Sequence, residues 1–269
     1  MTIWIAMLLG FVQGLCEFLP VSSSGHLLLL SRMFGITEGA MFFSVMLHLA
    51  TLVAVMIVYW KMVWKLLKNP INKTVGYLIV AIIPTVLLAL LFKKVEPFAS
   101  FYEKAEAGEF LGYCFLLTSI ILLISDRIRI PSKKQRKLRD MRLTDALIVG
   151  GMQGVGVLPG VSRSGSTISG ALFAGLNRKA AADFSFLLSI PSILGGAVLE
   201  IPDAIKEGFS GIHWTTLLAG MIVAGVTGYF AIQLMLAAIK KKKLWGFAIY
   251  TGVLGALVLV DQFFTHVFF

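Results

Sequence analysis

The sequence has 269 residues, is 58% hydrophobic and only 14% charged, and carries a formal net charge of +10. This excludes a soluble domain, which at this size needs far more polar surface. The basic excess does not indicate nucleic acid. Its densest run, residues 127–142, lies between apolar spans, where it reads as a cytoplasmic anchor beside anionic lipid headgroups.

In chain order, residues 3–34 form a first hydrophobic region, broken near its middle by Leu19-Pro20-Val21-Ser22-Ser23-Ser24-Gly25. It has the length of two short helices, and its interruption falls where a spanning helix would be deepest. Irregular backbone at that depth is tolerated only under cover of protein or a wet cavity, so a re-entrant hairpin is expected. Spans follow at 40–60, 76–92 and 110–125, each near the roughly 20 residues that cross a hydrocarbon core. After the basic loop, residues 146–176 repeat the broken pattern around Leu158-Pro159-Gly160-Val161-Ser162-Arg163-Ser164-Gly165. Spans at 181–201, 214–239 and 244–264 complete the chain. The expected fold is an all-α integral membrane protein with six transmembrane helices and two re-entrant helical hairpins. No removable signal peptide is expected, because the first apolar run lacks a cationic leader and a small-residue cleavage site. Cys16 and Cys114 lie in apolar segments and read as packing residues.

The two broken regions are copies. Residues 13–25 align without gaps on 153–165, with Gln13/Gln153, Gly14/Gly154, Val21/Val161, Ser22/Ser162, Ser24/Ser164 and Gly25/Gly165 identical. The halves, about 1–128 and 143–269, form a single membrane domain joined by the loop 127–142. A hairpin returns to its own side, so each half crosses three times, and an odd count inverts the second half relative to the first. The cations agree with that topology. Lys61, Lys65, Lys68, Lys73, the eight from Arg127 to Arg142, Arg178, Lys179 and Lys240 to Lys243 fall inside; Arg32, Lys93, Lys94, Lys104 and Lys206 fall outside. Both termini are then outside, and the hairpins enter from opposite faces so that their tips can meet.

Arg163 is the costliest residue, since a cation at a helix centre costs about 2.5–3.5 kcal/mol even on the lenient insertion scale. Its planar fork suits phosphate oxygens; a structural pair with Glu17 is the alternative. Glu17 stands four residues after Gln13 on one helical face. Next to a phosphate it needs a cation between, so Glu17 and Gln13 are candidate ligands of a divalent ion, Mg²⁺ or Ca²⁺. Ser22, Ser23 and Ser24 exceed what one helix cap requires. With Ser162, Ser164, Ser166 and Thr167 they make two hydroxyl-rich helix N-termini suited to cradling an anion. His26, three residues after Ser23, is suited to act as base, leaving-group acid or nucleophile. His48, His213 and His266 have no such company and read as structural or interfacial. Asp126, Asp140, Asp145 and Asp183 border the basic loops and are expected to pair with them. The tryptophans lie near span ends, as an interfacial belt does.

The stretches Gln13-Gly14-Leu15-Cys16-Glu17-Phe18-Leu19-Pro20-Val21-Ser22-Ser23-Ser24-Gly25-His26 and Pro159-Gly160-Val161-Ser162-Arg163-Ser164-Gly165-Ser166-Thr167 resemble the two signature boxes of the bacterial undecaprenyl-diphosphate phosphatases, also called the bacitracin-resistance protein family. The resemblance covers essentially the whole chain. It implies hydrolysis of a C55 isoprenoid diphosphate to the monophosphate and phosphate, recycling the lipid carrier of cell-wall polymers. It also implies a divalent cation, a bacterial plasma-membrane location and a site opening toward the outer face. Glu17 matches the catalytic acidic position, Arg163 the phosphate-binding arginine, Ser22, Ser23, Ser162 and Thr167 the pocket hydroxyls, and His26 the motif histidine. Gln13 departs from the Glu of many members and supplies no charge. Ser23 is the favoured nucleophile, activated by His26 or Glu17; water attack with His26 as base is the rival. A lipid-phosphate carrier would want the same anion cradle and is the alternative function. No nucleic-acid partner is expected, and a homodimer is left open.

Overall fold

A computed structural model describes residues 1–36, 39–128, 131, 134–207, 213–241 and 244–269, with only the backbone for 203–207. Arg129, Lys133, Lys242 and Lys243 of the basic clusters lie outside the described residues. Among those described, the chain is helical throughout. The one β-type feature is an isolated bridge between Arg136 and Leu176, which pins the basic loop to the second half.

The first broken region forms α1 (Ile3–Phe18) and α2 (Ser23–Met33), and the second forms α8 (Leu143–Val155) and α9 (Arg163–Phe173). Pro20 follows the C-cap of α1 and lacks the N–H that would continue it, whereas α8 ends at a Gly156 cap and Pro159-Gly160, with φ 92° at Gly160, shapes the turn that leads to α9. Each second helix restarts on a serine cap. Ser22 Oγ accepts from the Gly25 N–H at 3.2 Å, and Ser162 Oγ from the Gly165 N–H at 3.0 Å.

The long helices are α3 (Ala40–Val58), α5 (Lys73–Lys94), α7 (Leu111–Arg127), α10 (Arg178–Glu207), α11 (Trp214–Lys240) and α12 (Leu244–Val260). Five of the described helices are long and apolar enough to cross a membrane. The count reaches six if α6 (Phe98–Glu106) and α7, bent by 97° at their junction, form one span. The expected span at 110–125 is therefore α7, and α6 is a short helix folded across its start. A second unforeseen helix, α4 (Trp60–Lys68), follows α3 directly and exposes Trp60 and Trp64, whose rings stack at 5.2 Å.

The helices pair reciprocally between the halves. α1 lies along α11, and its repeat counterpart α8 lies along α5; α3 packs on α10, and α7 on α12. Glycines bring the first two pairs into backbone contact. A β-carbon on Gly10 would stand 2.2 Å from the Gly220 carbonyl oxygen, and one on Gly150 would stand 2.1 Å from that of Ala81. Gly14 and Gly154 follow one turn later, so each helix presents a small-xxx-small face of the kind that lets membrane helices approach closely.

At the charged margin, Arg178 bonds Asp126 at 2.9 Å, Arg136 bonds Asp145 at 2.6 Å, and Arg139 stands 3.7 Å from Asp140. Asp183 differs from the expected pattern and accepts from the Tyr59 hydroxyl at 2.9 Å. Both cysteines are buried and free.

Candidate active site

The two helix breaks touch at the centre of the molecule. Ser24 Oγ accepts from the Gly160 N–H at 3.3 Å, and Ser164 Oγ donates to the Leu19 carbonyl at 2.9 Å. Each hairpin thus hydrogen-bonds backbone that the other leaves open, which meets the need to satisfy polar groups at depth. The approach is close: a β-carbon on Gly25 would lie 2.9 Å from the Gly160 Cα.

At this junction Arg163 donates through Nη2 to Glu17 Oε1. The pair joins the first residue of α9 to the last turn of α1, and both side chains are largely buried, 19% and 3% exposed. A buried charge is retained where an opposite charge and hydrogen bonds compensate it. Glu17 has several. Its Oε2 accepts from Ser23 Oγ at 2.6 Å and from Gln13 Nε2 at 3.0 Å. The Ser23 bond is short, as expected for a hydroxyl on a carboxylate.

Ser22, immediately before, has φ 72°, a left-handed value that a β-carbon disfavours, whereas its counterpart Ser162 has φ −70°. The hairpins are therefore alike in capping and unlike in the turn that presents the next residue. That next residue is Ser23 in one and Arg163 in the other.

His26 is brought close in chain but turned elsewhere. Its Nδ1 lies 2.7 Å from the Ser22 carbonyl, and a carbonyl only accepts, so Nδ1 carries the proton. Its Nε2 lies 2.7 Å from the Tyr250 hydroxyl, with the two rings stacked at 5.7 Å. Both nitrogens are engaged away from Ser23, because the helical turn that starts at Ser22 carries the imidazole to α12. His48, read from sequence as structural or interfacial, is where a second polar partner was missed. Its Nε2 stands 3.5 Å from Glu17 Oε2, and its Nδ1 is bonded to the Ser44 carbonyl at 2.8 Å. Tyr250 and His48 lie on spans that carry no signature, so no local pattern marks them.

The remaining hydroxyls lie on the second half. Ser162 and Ser164 stand 3.3 Å apart, Thr167 is within 2.6 Å of Ser185 on α10, and all four are buried. Together with Glu17, Arg163 and Ser189 they surround or adjoin a narrow cleft.

The fit to a divalent cation rests on one atom. Gln13 Oε1 is buried and has no hydrogen-bond partner, although Gln13 sits beside Glu17. Among the described residues no group of three or more His, Cys, Asp or Glu is placed to hold a metal. Gln13 turns its amide nitrogen, not its oxygen, toward Glu17, so an ion held by both would need the amide turned over and its other ligands drawn from phosphate and water.

These features define a class: a polytopic membrane protein with a buried carboxylate, guanidinium and hydroxyl cluster where two interrupted helices meet. The chain belongs to the family described as bacitracin resistance protein BacA, which it matches over residues 6–257. It is similar to an undecaprenyl-diphosphatase of Carboxydothermus hydrogenoformans, 42% identical over 260 residues covering 96% of each chain. It is 40% identical over 266 residues to undecaprenyl-diphosphatase 4 of Bacillus thuringiensis subsp. konkukian, covering 98% of this chain and 99% of that one. The undecaprenyl-diphosphatase of Halothermothrix orenii is 37% identical over 262 residues, covering 97% and 98%.

Proposed function

We propose that this chain is a membrane hydrolase that converts undecaprenyl diphosphate to undecaprenyl phosphate and inorganic phosphate, recycling the lipid carrier for cell-wall polymers. The names of its relatives give the substrate. The observation that carries the chemistry is the Ser23 hydroxyl donating to Glu17 at 2.6 Å while Arg163 holds the other carboxylate oxygen.

Arriving phosphate oxygens compete with Glu17 for the Arg163 fork. As the guanidinium turns to phosphate, Glu17 is freed to take the Ser23 proton. Ser23 Oγ then bonds the terminal phosphorus, the bond from phosphorus to the bridging oxygen breaks, and the isoprenyl monophosphate leaves with that electron pair. Water next displaces Ser23 from phosphorus. Glu17 returns its proton to Oγ, inorganic phosphate departs with the new hydroxyl, and one proton passes to solvent. Arg163 stabilises charge on the equatorial oxygens throughout. Ser22, Ser24, Ser162, Ser164 and Thr167 supply or position hydroxyls around it, and His26 orders the turn through Ser22 and Tyr250. Glu17 and Gln13 would hold a divalent cation; when bound it neutralises phosphate charge.

The reciprocal helix pairing and the duplicated breaks support an inverted repeat with two re-entrant hairpins. The cation distribution supports both termini lying outside; the family resemblance supports a plasma-membrane location and a site open outward. The test is phosphate release from a short isoprenyl diphosphate by detergent-solubilised protein with Mg²⁺. Lipid movement in vesicles without release would favour the carrier instead.

A further inference from the structure

Helices α3 and α10 pack on each other beside the ion pair and carry equivalent polar positions. Ser44, His48 and Thr51 on one match Ser185, Ser189 and Ser192 on the other, each spaced along one helical face. Each helix touches one member of the pair. His48 approaches Glu17, and the Ser189 carbonyl accepts from Arg163 Nη1 at 3.4 Å.

The α10 side differs from the α3 side in lining a cleft. The cleft there is bounded by Glu17, Gln153, Arg163, Thr167, Ser185 and Ser189, with the buried rings of Phe18 and Phe186 packed edge-to-face at 5.8 Å. The cleft as it stands has no room for a water-sized sphere, so an anion enters it only as the lining side chains move apart. Ser189 is held within its own helix, and Ser185 by a contact to α9. Thr167 Oγ1 donates to the Arg163 carbonyl at 2.9 Å or the Ser164 carbonyl at 3.2 Å and stands 2.6 Å from Ser185 Oγ, where either hydroxyl can be the donor. Ser189 donates to the Phe186 carbonyl at 2.7 Å. A change of χ1 frees either proton. The 3.4 Å bond from Arg163 Nη1 is longer than an ordinary N–H···O bond, so this donor is better satisfied by an oxyanion.

We infer that Ser185 and Ser189 form, with Arg163 and Thr167, the subsite for the terminal phosphate of the substrate, the tail-free group that departs as inorganic phosphate. The assignment rests on the diphosphatase reading. The guanidinium fork takes two phosphate oxygens, and the hydroxyls take the remainder.

Inorganic phosphate is the probe. Its binding to the solubilised full chain is measured by calorimetry, and its inhibition of turnover is measured in parallel. Ser185→Ala combined with Ser189→Ala should weaken phosphate binding roughly tenfold or more, as loss of two hydrogen bonds to an anion predicts. Inhibition by an isoprenyl monophosphate should shift by less than about twofold, as for a change remote from its contacts. Ser125→Ala is the control. Ser125 lies on α7, does not line the cleft and donates to the Leu122 carbonyl at 2.9 Å, so phosphate affinity should be unchanged. Should the double variant fail to fold, Ser189→Cys, nearly the same shape with a weak donor, gives the same reading. Phosphate affinity within twofold of wild type in a folded variant, or an equal loss for the monophosphate, overturns the assignment. Wild-type protein that binds phosphate through these serines yet releases none from the diphosphate would defeat the hydrolase reading alone.

Discussion

At the residue scale the site is a carboxylate with too many donors. Glu17 accepts from Arg163, Ser23 and Gln13, and His48 stands alongside. Such a group changes partners when an anion competes for one of them. Ser23→Ala should therefore reduce phosphate release to background in a protein that melts normally. Arg163→Lys should cost about 10²–10³-fold in turnover, because an ammonium cannot fork. Tyr250→Phe removes only a hydrogen bond that orients His26 and should cost about fivefold; a loss as deep as that of Ser23→Ala would place His26 in the chemistry. EDTA should abolish phosphate release in the wild type, and Mg²⁺ should restore it; in Gln13→Ala half-maximal rescue should need more Mg²⁺. Much of this was readable in advance. A lone Glu and a lone Arg at membrane depth are each too expensive to stand unpaired, which marked both residues, although the sequence offered their mutual pair only as the alternative to a phosphate at Arg163. His48 and Tyr250 were not readable, because their roles arise from helices that converge across long separations in the chain.

At the scale of elements, the breaks were legible because proline, glycine and serine at the middle of an apolar run have one physical reading. The short helices were less so. In α4, Trp60 and Trp64 look like the end of a span, and only the turn at Tyr59 separates them from α3. The glycine faces went unread, since Gly10 and Gly150 gain meaning only from Gly220 and Ala81 opposite. Their contacts leave no room for a side chain. Gly150→Val should destabilise by about 1–3 kcal/mol or more, as overpacking does, read as a lower melting temperature in detergent. Gly151→Ala, next in chain with open space around it, should melt like wild type.

For the whole molecule, the duplication was visible in aligned residues, but the way the copies embrace was not. Sequence identity between positions 13–25 and 153–165 says that the segments are alike, not which helix each will lie against. The topology inferred from cation placement predicts that cysteines introduced at residue 2 and residue 268 react with an impermeant thiol reagent added outside intact cells. A cysteine at 137 should react only after the membrane is opened. Labelling of residue 137 from outside would reverse the orientation.

The crossed partnership of α1 with α11 and α8 with α5 also bears on how the chain is made. Helix α1 finds its closest neighbour only once α11 has been made, because Gly10 must wait for Gly220. Earlier in synthesis, until α8 and α9 have been made, Glu17 has no Arg163 and the first hairpin has no second one to bond. A ribosome stalled midway would hold a fragment in which Glu17 lacks its guanidinium partner.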